Sequence, residues 1–309
     1  MEGNTSRQLY CARAFAILCT VAAHMPGSGI EGRILDMLGT IGVPFFLFSA
    51  GLLYNKEKGP RWRRFGNKVW CPWLFGGTVI WLIGIVLGYN AMPWWEFLVG
   101  KGSYLYYLTV SLVLYAVFDY TPPKLVLPLF LLGMGRMLSF YMGYSPAYAY
   151  LAVLYWLPYF AAGILAKRWL GSADIGKTVK RLVSRPIIIV PLWCLLSALY
   201  LFRPEINYFN WYALPYSVVS ILFLLWLGKV CANQVPQIGM IGKQTLAIYI
   251  WHIYCAGFVS ERLRAYPYIH ILSPLLVLIG VFWGLELAVR ICRRLPFGEK
   301  CAKLIGVQV

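Results

Sequence analysis

Ten apolar segments follow one another along the chain, at about 8–25, 33–53, 68–89, 104–118, 124–141, 148–166, 186–202, 211–228, 238–259 and 271–292. Short polar or basic connections separate them. A membrane span needs ~20 mostly apolar residues, and inside lipid a helix is the simplest way to bond every backbone N–H and C=O. The pattern therefore predicts membrane-spanning helices. The segments at 104–118 and 186–202 are short, so eight to ten spans are expected. The first segment has a second reading, as a signal peptide: Ala14 to Ala23 has the length of an h-region, and Val21-Ala22-Ala23 resembles a cleavage site. The weakly basic start, with Arg13 at the very edge of the apolar run, favours a retained first helix.

Composition excludes the other broad classes. Of the 309 residues, 60% are hydrophobic and 13% charged, against about 25% charged in ordinary soluble domains. Disorder is excluded more firmly still. Ten spans use ~200 residues, which leaves no stretch for a separate soluble domain. One domain over 1–309 is expected, with a short basic tail from about 293. Net charge is +17, which in a soluble protein would suggest nucleic acid. Sorting the basic residues by connection changes that meaning. With the N-terminus inside, nineteen of the 28 Lys and Arg fall on the cytoplasmic side and five on the other, a positive-inside signal. The expected fold is thus an all-α integral membrane bundle of about ten transmembrane helices, with both termini cytoplasmic, in the lipid bilayer and not on nucleic acid.

Eight cysteines form no C-x-x-C pair and lie mostly in apolar runs. They read as small buried hydrophobes, with no metal site and no permanently bound cofactor expected. Gly84-x-x-x-Gly88 and Gly280-x-x-x-Gly284 read as helix-packing seams.

Ionisable side chains inside spans are costly, so each is a functional candidate. Arg13 and His24 are eleven residues apart. On one helix they share a face and differ by ~16 Å in height. A fixed cation below an acid–base group suits a long anionic donor such as coenzyme A, with phosphates at one end and a thioester at the other. A snorkelling arginine and an interfacial histidine fit the spacing as well.

The chain also resembles a family. Arg13-x10-His24 is similar to the first-helix signature of the membrane-bound acyltransferase 3 family, the integral membrane O-acetyltransferases. Val43-Pro44-Phe45-Phe46-Leu47-Phe48-Ser49 resembles its second-helix segment, with Ala50 placed before Gly51 where glycine usually follows directly. Arg61-Trp62-Arg63-Arg64, then Lys68 and Pro72, resembles its R-x-x-R stretch. Tyr104 to Leu108 with Leu114-Tyr115, and Gly242 to His252, resemble two further segments. The resemblance implies transfer of an acyl group, usually acetyl, from cytoplasmic acyl-CoA to a hydroxyl of a cell-envelope glycan or lipid-linked saccharide, in a bacterial inner (plasma) membrane. It implies an essential His24, with Arg13, Arg61 and Arg64 tied to the donor. The charge of Lys68 adds to theirs.

Imidazole is the natural base for an alcohol attacking a thioester, and an acyl-His intermediate is the alternative. His252 is expected at the depth of His24, where it could orient it. Asp36 near the outer end of the second segment could do the same. Ser49, Tyr107 and Tyr249 are candidate donors to an oxyanion. His270, in an outer connection, reads as incidental, and Arg136 and Glu286 as structural. A multispan transporter or flippase of a glycolipid or small solute explains the spans equally well, but not the alignment of Arg13 with His24.

Overall fold

The computed structural model describes residues 2–55, 60–89, 91–141, 149–171, 185–203, 208, 212–294, 296 and 298–307. All regular structure among them is helical. In chain order the helices are α1 (Glu2–Ala22), α2 (Gly29–Leu52), α3 (Arg61–Val86), α4 (Trp94–Val99), α5 (Tyr106–Tyr120), α6 (Val126–Tyr141), α7 (Val153–Gly171), α8 (Pro186–Leu201), α9 (Ala213–Gln234), α10 (Ile238–Lys243), α11 (Thr245–Leu263), α12 (Pro267–His270), α13 (Ser273–Cys292) and α14 (Gly298–Leu304). Helicity largely follows the apolar runs, but the run at 238–259 is divided at Gln244 into α10 and α11, and α4 lies in an expected connection. Residues 29–52, 68–86, 213–234 and 273–292 are long and apolar enough to cross a membrane by length and composition. Prolines at 44, 72, 158 and 191 lie inside α2, α3, α7 and α8, as spans tolerate when neighbouring helices re-satisfy the freed carbonyls.

Many large apolar side chains are exposed, in the manner of a chain dissolved in lipid. On α13, Leu275, Leu276, Ile279, Trp283, Leu287 and Ile291 are exposed, whereas Val277, Leu278, Val281, Phe282, Leu285 and Val289 are buried. The exposed set repeats every three to four residues, so one face of the helix looks outward. A soluble protein rarely shows so large an apolar face.

Three of the four glycines of the expected seams are not where helices meet; the fourth, Gly84, is buried. A Cβ on Gly88, Gly280 or Gly284 would touch nothing, because Gly280 and Gly284 share the outward face of α13 and Gly88 lies beyond the end of α3. The close approaches lie elsewhere. Gly51 of α2 faces the Phe160 carbonyl of α7, and Gly163 of α7 faces the Phe48 carbonyl of α2, each too near for any Cβ. Gly51, displaced by Ala50 from its family position, thus has a packing duty of its own. The cysteines also divide: Cys11 and Cys19 are buried, whereas Cys71, Cys194 and Cys255 are exposed on an apolar surface that accepts a thiol readily.

The helix α1 runs through the middle of the bundle, packed on α2, α9, α10, α11 and α13. A first helix wrapped on so many sides behaves as part of the core. The helices α2, α3 and α5 are joined at one end by Asp119, which accepts from the Tyr54 hydroxyl at 2.8 Å and from the Trp62 backbone N–H at 2.7 Å. Trp62 N–H is one of the donors that an α-helix leaves open in its first turn. Asp119→Ala is expected to cost about 1–2 kcal/mol, read as a lower thermal midpoint in detergent.

Candidate active site

The helix α1 ends at Ala22, so His24 stands on a turn and not on the helix itself. The His24 and Met25 backbone N–H groups donate to Val21 and Ala22 carbonyls at 3.0 and 3.1 Å, and Met25 is buried. Pro26 and Gly27 then take the chain away from helical geometry. The eleven-residue spacing therefore does not stack Arg13 and His24 on one helix face by periodicity alone. A second helix does the aligning.

That helix is α11. The Arg13 Nη2 donates to Thr245 Oγ1 at 2.6 Å, and the His24 ring lies 5.1 Å from that of His252. Thr245 and His252 are seven residues apart, nearly two turns, so they project from the same face ~10.5 Å apart along the axis. Arginine and histidine of α1 and its turn are thus matched, level by level, against one stripe of α11. Between the two levels runs a wall of rings. The guanidinium lies over Phe46 at 5.9 Å, Phe46 meets Tyr107 at 5.9 Å, Tyr107 meets Tyr249 at 5.3 Å, and Tyr249 meets Tyr104 at 5.6 Å. Tyr104 stands edge-on to both His24 and His252, at 5.8 and 5.5 Å.

Hydrogen bonds decide what each group can still do. The His252 Nδ1 lies 2.8 Å from the Tyr249 carbonyl and 3.1 Å from that of Ile248. Carbonyls only accept, so Nδ1 carries the hydrogen and Nε2 is left as an acceptor. That Nε2 is buried and has no partner. The Arg13 Nε is likewise a buried donor without a partner. Tyr104 gives its hydroxyl hydrogen to the Ile250 carbonyl at 2.6 Å, and Tyr249 gives its own to the Tyr104 carbonyl. Ser49 donates to the Phe46 carbonyl one turn back, at 2.9 Å. Ser49 and Tyr249, expected as oxyanion donors, have therefore committed their single hydroxyl hydrogens to the backbone.

The remaining candidates stand outside this pair of levels or have side chains outside the described residues. Asp36 is exposed, and the charge that acts on it is Arg33 of its own helix, because its position on α2 turns it away from the bundle. Arg61 and Arg64 open α3, although their side chains lie outside the described residues. The basic stretch therefore begins a helix instead of ending a loop. Lys68, two turns along, is exposed. Arg136 bonds Ser139 at 3.2 Å and lies over the Tyr155 ring at 5.3 Å, a structural placement. His270, expected in an outer connection, is fully buried and bonded to Ser260.

A sequence model of an acyltransferase domain matches residues 7–292. The chain belongs to the acyltransferase 3 family. No curated protein and no solved structure matches it. The match takes in every element that builds the site, from Arg13 on α1 to His252 on α11, and stops at the end of α13. The protein is a membrane acyltransferase, and its family supplies the chemical class that two apposed imidazoles and an arginine do not specify alone. Tyr104 is the site residue that sequence reading missed as a participant. Within its aromatic-rich segment, nothing in the spacing distinguishes it from Tyr106 or Tyr107.

Proposed function

We propose that this acyltransferase moves an acetyl group from cytoplasmic acyl-CoA to a hydroxyl of a cell-envelope glycan or lipid-linked saccharide, in the inner (plasma) membrane of a bacterium. The bundle has about ten spans with both termini cytoplasmic. The observation that carries the reading is the two-level match of α1 with α11, Arg13 at Thr245 and His24 at His252. A donor that is anionic at one end and reactive at the other fits such a path.

In this reading His24 is the general base. One ring nitrogen of His24 takes the proton of the attacking hydroxyl, and the open acceptor Nε2 of His252 beside it is placed to accept from the imidazolium N–H that results. The hydroxyl oxygen adds to the thioester carbonyl, the carbon–sulfur bond breaks, and the thiolate leaves with the proton that the imidazole received. Arg13 directs its open Nε toward the donor. Arg61, Arg64 and Lys68 hold the CoA phosphates at the start of α3, where the helix N-terminus adds its own positive potential to theirs.

The reading is tested with purified protein in vesicles, supplied with labelled acetyl-CoA and envelope glycans. Label should enter an alkali-labile ester as CoA is released. Movement of a saccharide across the vesicle without CoA consumption would make the chain a transporter and overturn the proposal. His252→Asn separates position from chemistry, because the asparagine amide keeps a donor for the Tyr249 carbonyl but has nothing at the place of Nε2. It is expected to lower kcat by ~10–100-fold, with KM for the acyl donor and the thermal midpoint close to wild type.

A further inference from the structure

Beyond the reacting groups lies a buried polar chain that connects α11 and α12 to the turn bearing His24. Ser260 Oγ lies 3.1 Å from the Pro26 carbonyl and 3.0 Å from His270 Nε2. A hydroxyl has one hydrogen. The Pro26 carbonyl can only accept, so that hydrogen goes to Pro26, and Ser260 must then accept from a protonated His270 Nε2. The direction of the chain is fixed: His270 Nε2–H to Ser260 Oγ–H to Pro26 C=O. His270 Nδ1 is consequently a lone pair, buried and without a partner. Both side chains are sealed off, with His270 fully and Ser260 almost fully buried. Burial lowers the pKa of His270, against an upward pull from Glu31 and with a further downward one from Arg264, a direction that favours the single-donor form.

The place where this chain ends gives it meaning. Pro26 is two residues past His24 on the same turn. A Cβ on neighbouring Gly27 would stand 2.7 Å from Gly32 Cα and 3.3 Å from the His270 ring, so the imidazole and the first turn of α2 hold the turn from two sides. Glu31 closes it at its far end by accepting from the Ser28 backbone N–H at 3.2 Å. Cooperative hydrogen bonds in a dry interior are stiffer than isolated ones. From this arrangement, and resting on the role of His24 given above, we infer that Ser260 and His270 are positioning residues, which hold the His24 turn so that its imidazole faces His252.

The test compares Ser260→Ala, His270→Leu and His270→Gln with wild type and His24→Ala, all purified in the same detergent and checked for equal monodispersity. Ser260→Ala and His270→Leu break the chain. The Gln side-chain amide can place a donor near the site of Nε2. Acetyl transfer is expected to fall ~10–100-fold in kcat for the first two, with KM for acetyl-CoA unchanged, and to recover to within ~3-fold of wild type in His270→Gln. Ser260→Ala on the His24→Ala background should bring no further loss, because its effect passes through His24. Wild-type kcat in folded Ser260→Ala and His270→Leu would overturn the inference, as would a Gln variant no better than the Leu variant. Full activity in His24→Ala would instead overturn the role of His24 itself.

Discussion

His24→Ala is expected to lower kcat for acetyl transfer by ~10³-fold, within the range that a positioned general base supplies, while KM for acetyl-CoA changes little. The split follows from geometry. The donor's anionic parts are assigned to Arg13 and the start of α3, whereas His24 stands two turns of α11 away beside His252 and Tyr104. Removal of the imidazole strips the reacting end and leaves the gripping end in place. Stability should hardly move, because the ring makes edge and tilted contacts worth about 1 kcal/mol or less. The measurement is steady-state transfer of labelled acetyl with each variant at equal membrane level. A His24→Ala protein that transfers at the wild-type rate would end the catalytic claim. A rise in KM with kcat intact would move His24 to donor binding.

Gly163→Val is expected to remove the folded protein almost entirely. Gly163 and Gly51 lie where α7 and α2 bring backbone against backbone, and a Cβ at 163 would enter the space of the Phe48 carbonyl and come 2.7 Å from the Leu52 nitrogen. Helix association in lipid depends on such close approach between small residues, and no flexible side chain is present to yield. Overpacking of a core ordinarily costs 1–3 kcal/mol; against rigid backbone on two elements we expect roughly 3 kcal/mol or more. The helix α2 also carries Phe46 of the aromatic wall, so the site should fail with the seam. Fluorescence-detected size exclusion of the membrane extract reads the outcome. A monodisperse Gly163→Val peak at wild-type yield would refute it. Gly280→Val, on the outward face of α13, should be tolerated and serves as the control.

These two residues show what each level of description contributes. The sequence by itself determined the class of solvent and the helices. Apolar runs separated by basic connections have few alternatives, since lipid offers the backbone no hydrogen-bond partners. It also singled out Arg13 and His24, because an ionisable group beside an apolar run is rare enough to be conspicuous. Motif resemblance added the acyltransfer chemistry, now supported by the family match over residues 7–292.

Only the tertiary structure decided which small residues are seams. GxxxG spacing does not say which helix face meets another, and Gly280 and Gly284 face outward while Gly51 and Gly163 do not. It also decided how Arg13 and His24 are aligned. The helix stops at Ala22, so the matching stripe is Thr245 and His252 on α11, more than 200 residues away in sequence. Hydroxyl donors were equally beyond sequence, because Ser49 and Tyr249 bond backbone carbonyls that only folding brings within reach. The same holds for His270. Read along the chain it is a lone histidine in a connection, and the Ser260–Pro26 bond that completes its link to the His24 turn spans 234 residues. Local pattern fixes which groups are too costly to bury alone; which partner relieves that cost is set by contacts between distant segments, and those contacts position this site.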